Sequence, residues 1–114
     1  MNKFLKLIIN NSSKELRYEN FFEKDELKII LDLYAQMVSK GQWKDYGLNI
    51  SKQQVSFMVF KNSAESAMYK ISKNFSPSNR NLKYLIMDKS GKVLKNSNNL
   101  QNLLSNINWK KLNK

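Results

Sequence analysis

The stretch Leu82-Lys-Tyr-Leu-Ile-Met-Asp-Lys-Ser-Gly-Lys-Val-Leu-Lys-Asn96 holds two short apolar runs around Asp88-Lys89-Ser90-Gly91. Aspartate and glycine punctuate a turn, and apolar, β-branched residues flank it, so the stretch reads as a β-hairpin with strands over 82–87 and 92–96. Working back, Met68–Lys73 alternates, with Tyr69 and Ile71 on one face and Lys70 on the other. Val55–Lys61 (Val-Ser-Phe-Met-Val-Phe-Lys) is aromatic and β-branched, and Tyr46–Ser51 alternates weakly. The segment 74–81 carries the only proline, Pro77, and reads as a loop.

A helix stands on each side of these strands. Leu27, Ile30, Leu31, Tyr34, Met37 and Val38 repeat at helical spacing over 24–40. Glu23, Asp25 and Glu26 place negative charge at the first turn, and Gly41 suits the C′ position. Leu100, Leu103, Leu104 and Ile107 repeat likewise, with Asn98 as the expected cap and Gln101 three residues on. The expected fold is α+β: an antiparallel four- or five-stranded sheet in meander order, covered on one face by the N-terminal and the C-terminal helix. The expected core is Leu27, Ile30, Leu31, Tyr34, Val55, Phe57, Val59, Tyr69, Ile71, Leu82, Tyr84, Ile86, Leu100, Leu103 and Leu104. The 114 residues suit one domain over 22–108, with a peripheral segment over 1–21 and a basic tail over 109–114.

Composition removes much chemistry. There is no cysteine and no histidine, which excludes disulfides, Cys or His metal sites, thiol nucleophiles and imidazole acid–base catalysis. The three glycines stand far apart, so no phosphate-binding glycine loop exists. The carboxylates are sparse: Glu23, Asp25 and Glu26 read as helix-end charges, Asp32 lies on the polar helix face, and Glu65 and Asp88 are isolated in loops. No pair is spaced for glycosidase or metal work. We expect no enzyme, no cofactor and no metal. Phe4–Ile9 is too short for a signal-peptide core and reads as a terminal strand. No run is long enough to span a membrane, so the expectation is a cytoplasmic protein without integral membrane association.

Several stretches together resemble a small uncharacterised alphaproteobacterial family known only as domain of unknown function 2794. They are Phe22-Glu-Lys-Asp-Glu-Leu-Lys-Ile-Ile-Leu-Asp-Leu-Tyr34, Met37-Val-Ser-Lys-Gly-Gln-Trp-Lys-Asp-Tyr46, Phe57-Met-Val-Phe-Lys61, Ser63–Lys73 and Gly91-Lys-Val-Leu-Lys95. The likeness covers about residues 22–107, with Gly41–Tyr46 its most specific part. It implies a compact domain and brings no activity, cofactor or site residue.

Charge gives the functional lead. Lys and Arg total 20 against 9 Asp and Glu, a net +11. Residues 52–114 hold 12 basic and 2 acidic residues, so +10 of that excess lies there. A one-sided positive field attracts polyanions. However, 18 of the basic residues are lysine and asparagine is also abundant, a bias that an AT-rich genome produces without a ligand.

The expected function is non-catalytic binding of RNA or single-stranded DNA with weak sequence preference, through lysines on strands and loops: Lys61, Lys70, Lys73, Arg80, Lys83, Lys89, Lys92 and Lys95. Trp43, Tyr46 and Phe60 are the candidate stacking residues. A competing reading packs Trp43 under the helix end, the commoner place for a large aromatic after a C′ glycine. The lysines likewise have a plainer reading as a solvated sheet face that resists aggregation. The alternative function is a protein-interaction or assembly module, with a protein partner or a homodimer formed through Val55–Phe60 as an edge strand or through an apolar surface. A weaker third possibility is a membrane-surface role resting on Phe4–Ile9 with Lys3 and Lys6.

Overall fold

The computed structural model describes residues 21–62 and 66–109. Phe4–Ile9, Glu65 and the tail lysines lie outside the described residues. In chain order come α1 (Lys24–Ser39), β1 (Asp45–Ile50), β2 (Gln54–Phe60), β3 (Tyr69–Asn74), a 3-10 turn (Arg80–Leu82), β4 (Tyr84–Asp88), β5 (Val93–Ser97) and α2 (Leu100–Ser105). The five strands form one antiparallel meander in the order β1-β2-β3-β4-β5. The fold is therefore α+β, with one helix before the sheet and one after it.

The register sorts the strand residues into two faces. Leu48, Phe57, Ile71 and Ile86 stand in one row across four strands, with Tyr46, Val59 and Tyr69 beside them and Val55, Lys73 and Tyr84 on the other flank. Most of these side chains are buried; Phe57, Val55, Val59, Ile71 and Ile86 are fully so. Tyr34 of α1 meets Tyr46 and Phe57 edge to face, and Tyr46 stacks on Phe57 at 4.8 Å between ring centres. The second face carries Gly47, Met58, Lys70, Met87 and Val93 in one row and Asn49, Ser56, Ser72, Leu85 and Asn96 in the next. The Ser56 and Ser72 hydroxyls are buried there and satisfy each other at 2.7 Å.

Capping residues set the helix ends. Gly41 takes φ +73°, the left-handed conformation that glycine adopts without a Cβ clash. Its N–H donates to Val38 O and the Gln42 N–H to Met37 O, the paired bonds that close a helix C-terminus. The chain thus turns Trp43 inward, where it is 1% exposed. At α2 the cap is Asn99, one residue later than the spacing suggests; its Oδ1 accepts from the Asn102 N–H at 2.9 Å.

Several expectations are corrected here. Leu82 is exposed, because the 3-10 turn ends there and β4 begins only at Tyr84. Phe21, at the end of the segment read as peripheral, and Trp109, at the start of the tail, are both buried. Glu26 is more than a helix-end charge. It accepts from the Glu23 N–H at 2.6 Å and from Lys73 Nζ at 2.8 Å, and the Tyr84 hydroxyl donates to its second oxygen. Lys73 also donates to Phe21 O at 3.3 Å. The two charged side chains are 10% and 12% exposed, so this is a buried ion pair tying α1 to β3, with β4 joined through Tyr84.

Candidate nucleic-acid interface

In an antiparallel meander, alternate strands begin and end at the same edge of the sheet. Asp45 faces Phe60, Val59 faces Tyr69, and Tyr69 faces Asp88, so the start of β1, the end of β2, the start of β3 and the end of β4 share one rim. Val93, which starts β5, pairs with Met87 at the same end. Lys44, Lys61, Lys89 and Lys92 flank those strand ends, and all four are exposed. Lys70 lies one row in, on the second face, between Met58 and Met87. Phe60, half-buried, lies on that face at the rim. The two ion pairs among the described residues are Lys28–Asp32 and Lys73–Glu26, so none of the five rim lysines is neutralised by one. With strands about 4.8 Å apart, the rim extends about 19 Å.

Two carboxylates lie on the same rim. Asp45 Oδ1 accepts from its neighbour's N–H, Tyr46, at 2.8 Å. Asp88 Oδ1 accepts from Ser90 N, Ser90 Oγ and Lys92 N at 2.9, 2.8 and 3.0 Å, which fixes the β4–β5 turn. The Ser90 hydroxyl foremost, with the two backbone N–H groups and the Lys92 charge, outweighs desolvation and holds the Asp88 carboxyl below its ordinary value. Gly91 completes the turn at φ +90°.

The expected site residues are distributed unevenly. Lys61, Lys70, Lys89, Lys92 and Phe60 come together at this rim. Arg80 and Lys83 lie at the opposite end of the sheet, where Lys83 Nζ sits 5.4 Å from the centre of the Tyr84 ring. Lys95 is on β5 opposite Ile86 and reaches Asn106 O at 3.5 Å, near the end of α2.

Three candidates are corrected. Lys73 is buried against Glu26, because it shares the strand parity of Tyr69 and Ile71 rather than that of Lys70. Trp43 is packed between Tyr34 and Trp109, with ring centres 6.3 and 5.2 Å away. Tyr46 is 5% exposed and stacked on Phe57. Neither ring has a face open to a base. Burial raises the Tyr46 hydroxyl above its ordinary range, and the Asp45 charge adds to the shift.

Lys44 is a rim residue outside the expected set of binding lysines. Its signal was the placement of Gly41–Asp45 at the mouth of β1, visible only once β1 is paired with the end of β2. The edge-strand reading also changes. Val55–Phe60 lies within β2, which is hydrogen-bonded to β1 on one side and β3 on the other, so the free edges belong to β1 and β5.

Among the described residues no helix is long and apolar enough to cross a membrane. The model of a family described as "Protein of unknown function (DUF2794)" matches residues 20–104. Comparison with curated proteins and with solved structures returns no match.

Proposed function

We propose that this chain, which belongs to the DUF2794 family, is a non-catalytic domain that binds single-stranded nucleic acid along one rim of its sheet. The observation that supports this reading is the convergence of Lys44, Lys61, Lys89 and Lys92 from separate strand ends, with Lys70 and Phe60 on the adjoining face. In this reading the two helices lie against the middle of the face of Phe57 and Ile71, and a ligand follows the rim and the adjoining face of Met58 and Lys70. Lysine ammonium groups meet phosphates as point charges, so affinity is electrostatic and sequence preference weak. Phe60 supplies one ring on which a base can stack. The protein acts in the cytoplasm, where its ligand is RNA or transiently exposed single-stranded DNA.

The test is a salt series with a labelled single strand followed by fluorescence anisotropy. Five phosphate contacts give a slope of log K against log salt of about −3.5. Replacing Lys44, Lys61 and Lys92 with Gln brings it to about −1.4, while replacing Lys52, Arg80 and Lys83 at the opposite end leaves it unchanged. A wild type that ignores single strands at low salt, or two triple variants with equal slopes, refutes the reading.

A further inference from the structure

The rim carries a shallow, open cleft. It has a volume of about 510 Å³ and is lined by Met68, Tyr69, Asp88, Lys89 and Ser90, at the junction of β3 with the β4–β5 turn. That size suits a small planar ligand. Met68 and Tyr69 are its large apolar and aromatic side chains, Tyr69 lies across from Asp88 in the β3–β4 register, and Asp88 is the one carboxylate in the lining.

The hydrogen bonding of Asp88 is asymmetric. All three of its bonds, from Ser90 N, Ser90 Oγ and Lys92 N, fall on Oδ1. They hold the carboxylate plane in place and leave Oδ2 without a partner among the described residues. An ionised carboxylate only accepts hydrogen bonds. Oδ2 therefore pairs with a ligand N–H and repels a ligand carbonyl.

Resting on the nucleic-acid reading, we infer that this cleft takes a single nucleobase and that Asp88 selects bases bearing an exocyclic amino group, cytosine above all among pyrimidines, over uracil and thymine. The cytosine 4-amino group is a donor to such a carboxylate, whereas the uracil 4-oxo group at the same place is an acceptor. The cost to uracil is a lost charge-assisted bond and an unfavourable approach of two acceptors. That corresponds to about a tenfold difference in affinity. The preference comes from one position, so it sits on top of the electrostatic binding.

The experiment compares oligo(C) with oligo(U) of equal length at one low salt concentration and neutral pH. Wild type binds oligo(C) about tenfold more tightly. Asp88→Asn keeps Oδ1 as the acceptor that the turn needs and replaces Oδ2 with an amide donor. In that variant the preference turns toward oligo(U), because the amide N–H donates to the uracil 4-oxo group and meets the cytosine 4-amino group donor to donor. A thermal melt of the variant near that of wild type shows that the turn is intact. Met68→Ala, which leaves the turn untouched, weakens both strands and preserves their ratio. Equal affinities in wild type, or a preference for oligo(C) that persists in Asp88→Asn, overturns the inference while leaving the rim proposal standing. Failure of both strands to bind wild type overturns the inference and the rim proposal together.

Discussion

Replacing Lys73 with Met removes a buried ammonium and keeps most of its volume. In the wild type Nζ stands 2.8 Å from Glu26 Oε1 and 3.3 Å from Phe21 O. The variant leaves the Glu26 carboxylate with the Glu23 N–H and the Tyr84 hydroxyl but without a countercharge. Breaking a buried pair by removing one partner costs about 3–5 kcal/mol, and the two surviving hydrogen bonds place this case near 3. With a urea m-value of about 1.5 kcal/mol/M, the unfolding midpoint falls by about 2 M. Glu26→Gln alone also destabilises, and the double variant loses at least about 1 kcal/mol less than the two singles together, since the charge left behind by each is absent.

A pH series sharpens this test. Burial by itself raises the Glu26 carboxyl, but the bonds from Lys73, Tyr84 and Glu23 outweigh it and set the folded value below the ordinary 4.5. The unfolded state therefore binds the proton first as pH falls. The stability that Glu26 confers is complete above about 4.5 and is lost as pH drops through the lower folded value. Urea titrations followed by circular dichroism at neutral pH and at about pH 3 read both effects. A Lys73→Met protein within about 0.5 kcal/mol of wild type, or strictly additive single variants, refutes the buried-pair argument.

Trp43→Ala empties a core site and costs about 4 kcal/mol in chemical denaturation, whereas Phe60→Ala leaves stability within about 1 kcal/mol and weakens single-strand affinity in the anisotropy assay. Gly41→Ala has space for its methyl group, with nothing within 4 Å, so only the φ of +73° is penalised; a thermal melt shows about 1 kcal/mol lost. Burial, with the Glu26 hydrogen bond and charge, holds the Tyr84 hydroxyl far above its ordinary 10.0. The stability it contributes is present below pH 10 and declines as pH rises beyond, so ultraviolet titration finds Tyr84 ionising together with unfolding rather than before it.

The elements were legible because their signals are local. The hairpin over 82–96 is carried by Asp88 and Gly91, and the structure puts β4 and β5 around that turn. The helix over 24–40 ends at Gly41 because only the residue after the last helical turn needs a left-handed φ. Long-range pairs were less legible. Glu26 and Lys73 are 47 residues apart in sequence, and nothing near Glu26 marks it as different from Asp25. A signal did exist at the other partner. If Tyr69 and Ile71 point to the core, Lys73 does too, and a lysine there needs a carboxylate. Trp109 escaped for a related reason, since its partners Trp43 and Tyr69 come from two distant parts of the chain.

The candidate site shows a further limit on reading strands one at a time. Parity sorts residues between two faces, and by parity Lys70 alone of the strand lysines lies on the face of Met58 and Met87. The other rim lysines, Lys44, Lys61, Lys89 and Lys92, lie just outside strands, where alternation says nothing about direction. What brings them together is the order of connections. A five-stranded meander returns every second strand end to one rim, so lysines up to 48 positions apart in sequence share an edge about 19 Å long. The same topology sends Arg80 and Lys83 to the far rim, although Lys83 is only six residues from Lys89. A net charge counted over residues 52–114 adds these two groups together, whereas a single strand of nucleic acid lying along one rim contacts only one of them. For that reason the comparison between rims, rather than the total charge, is what separates a binding site from a lysine-rich composition.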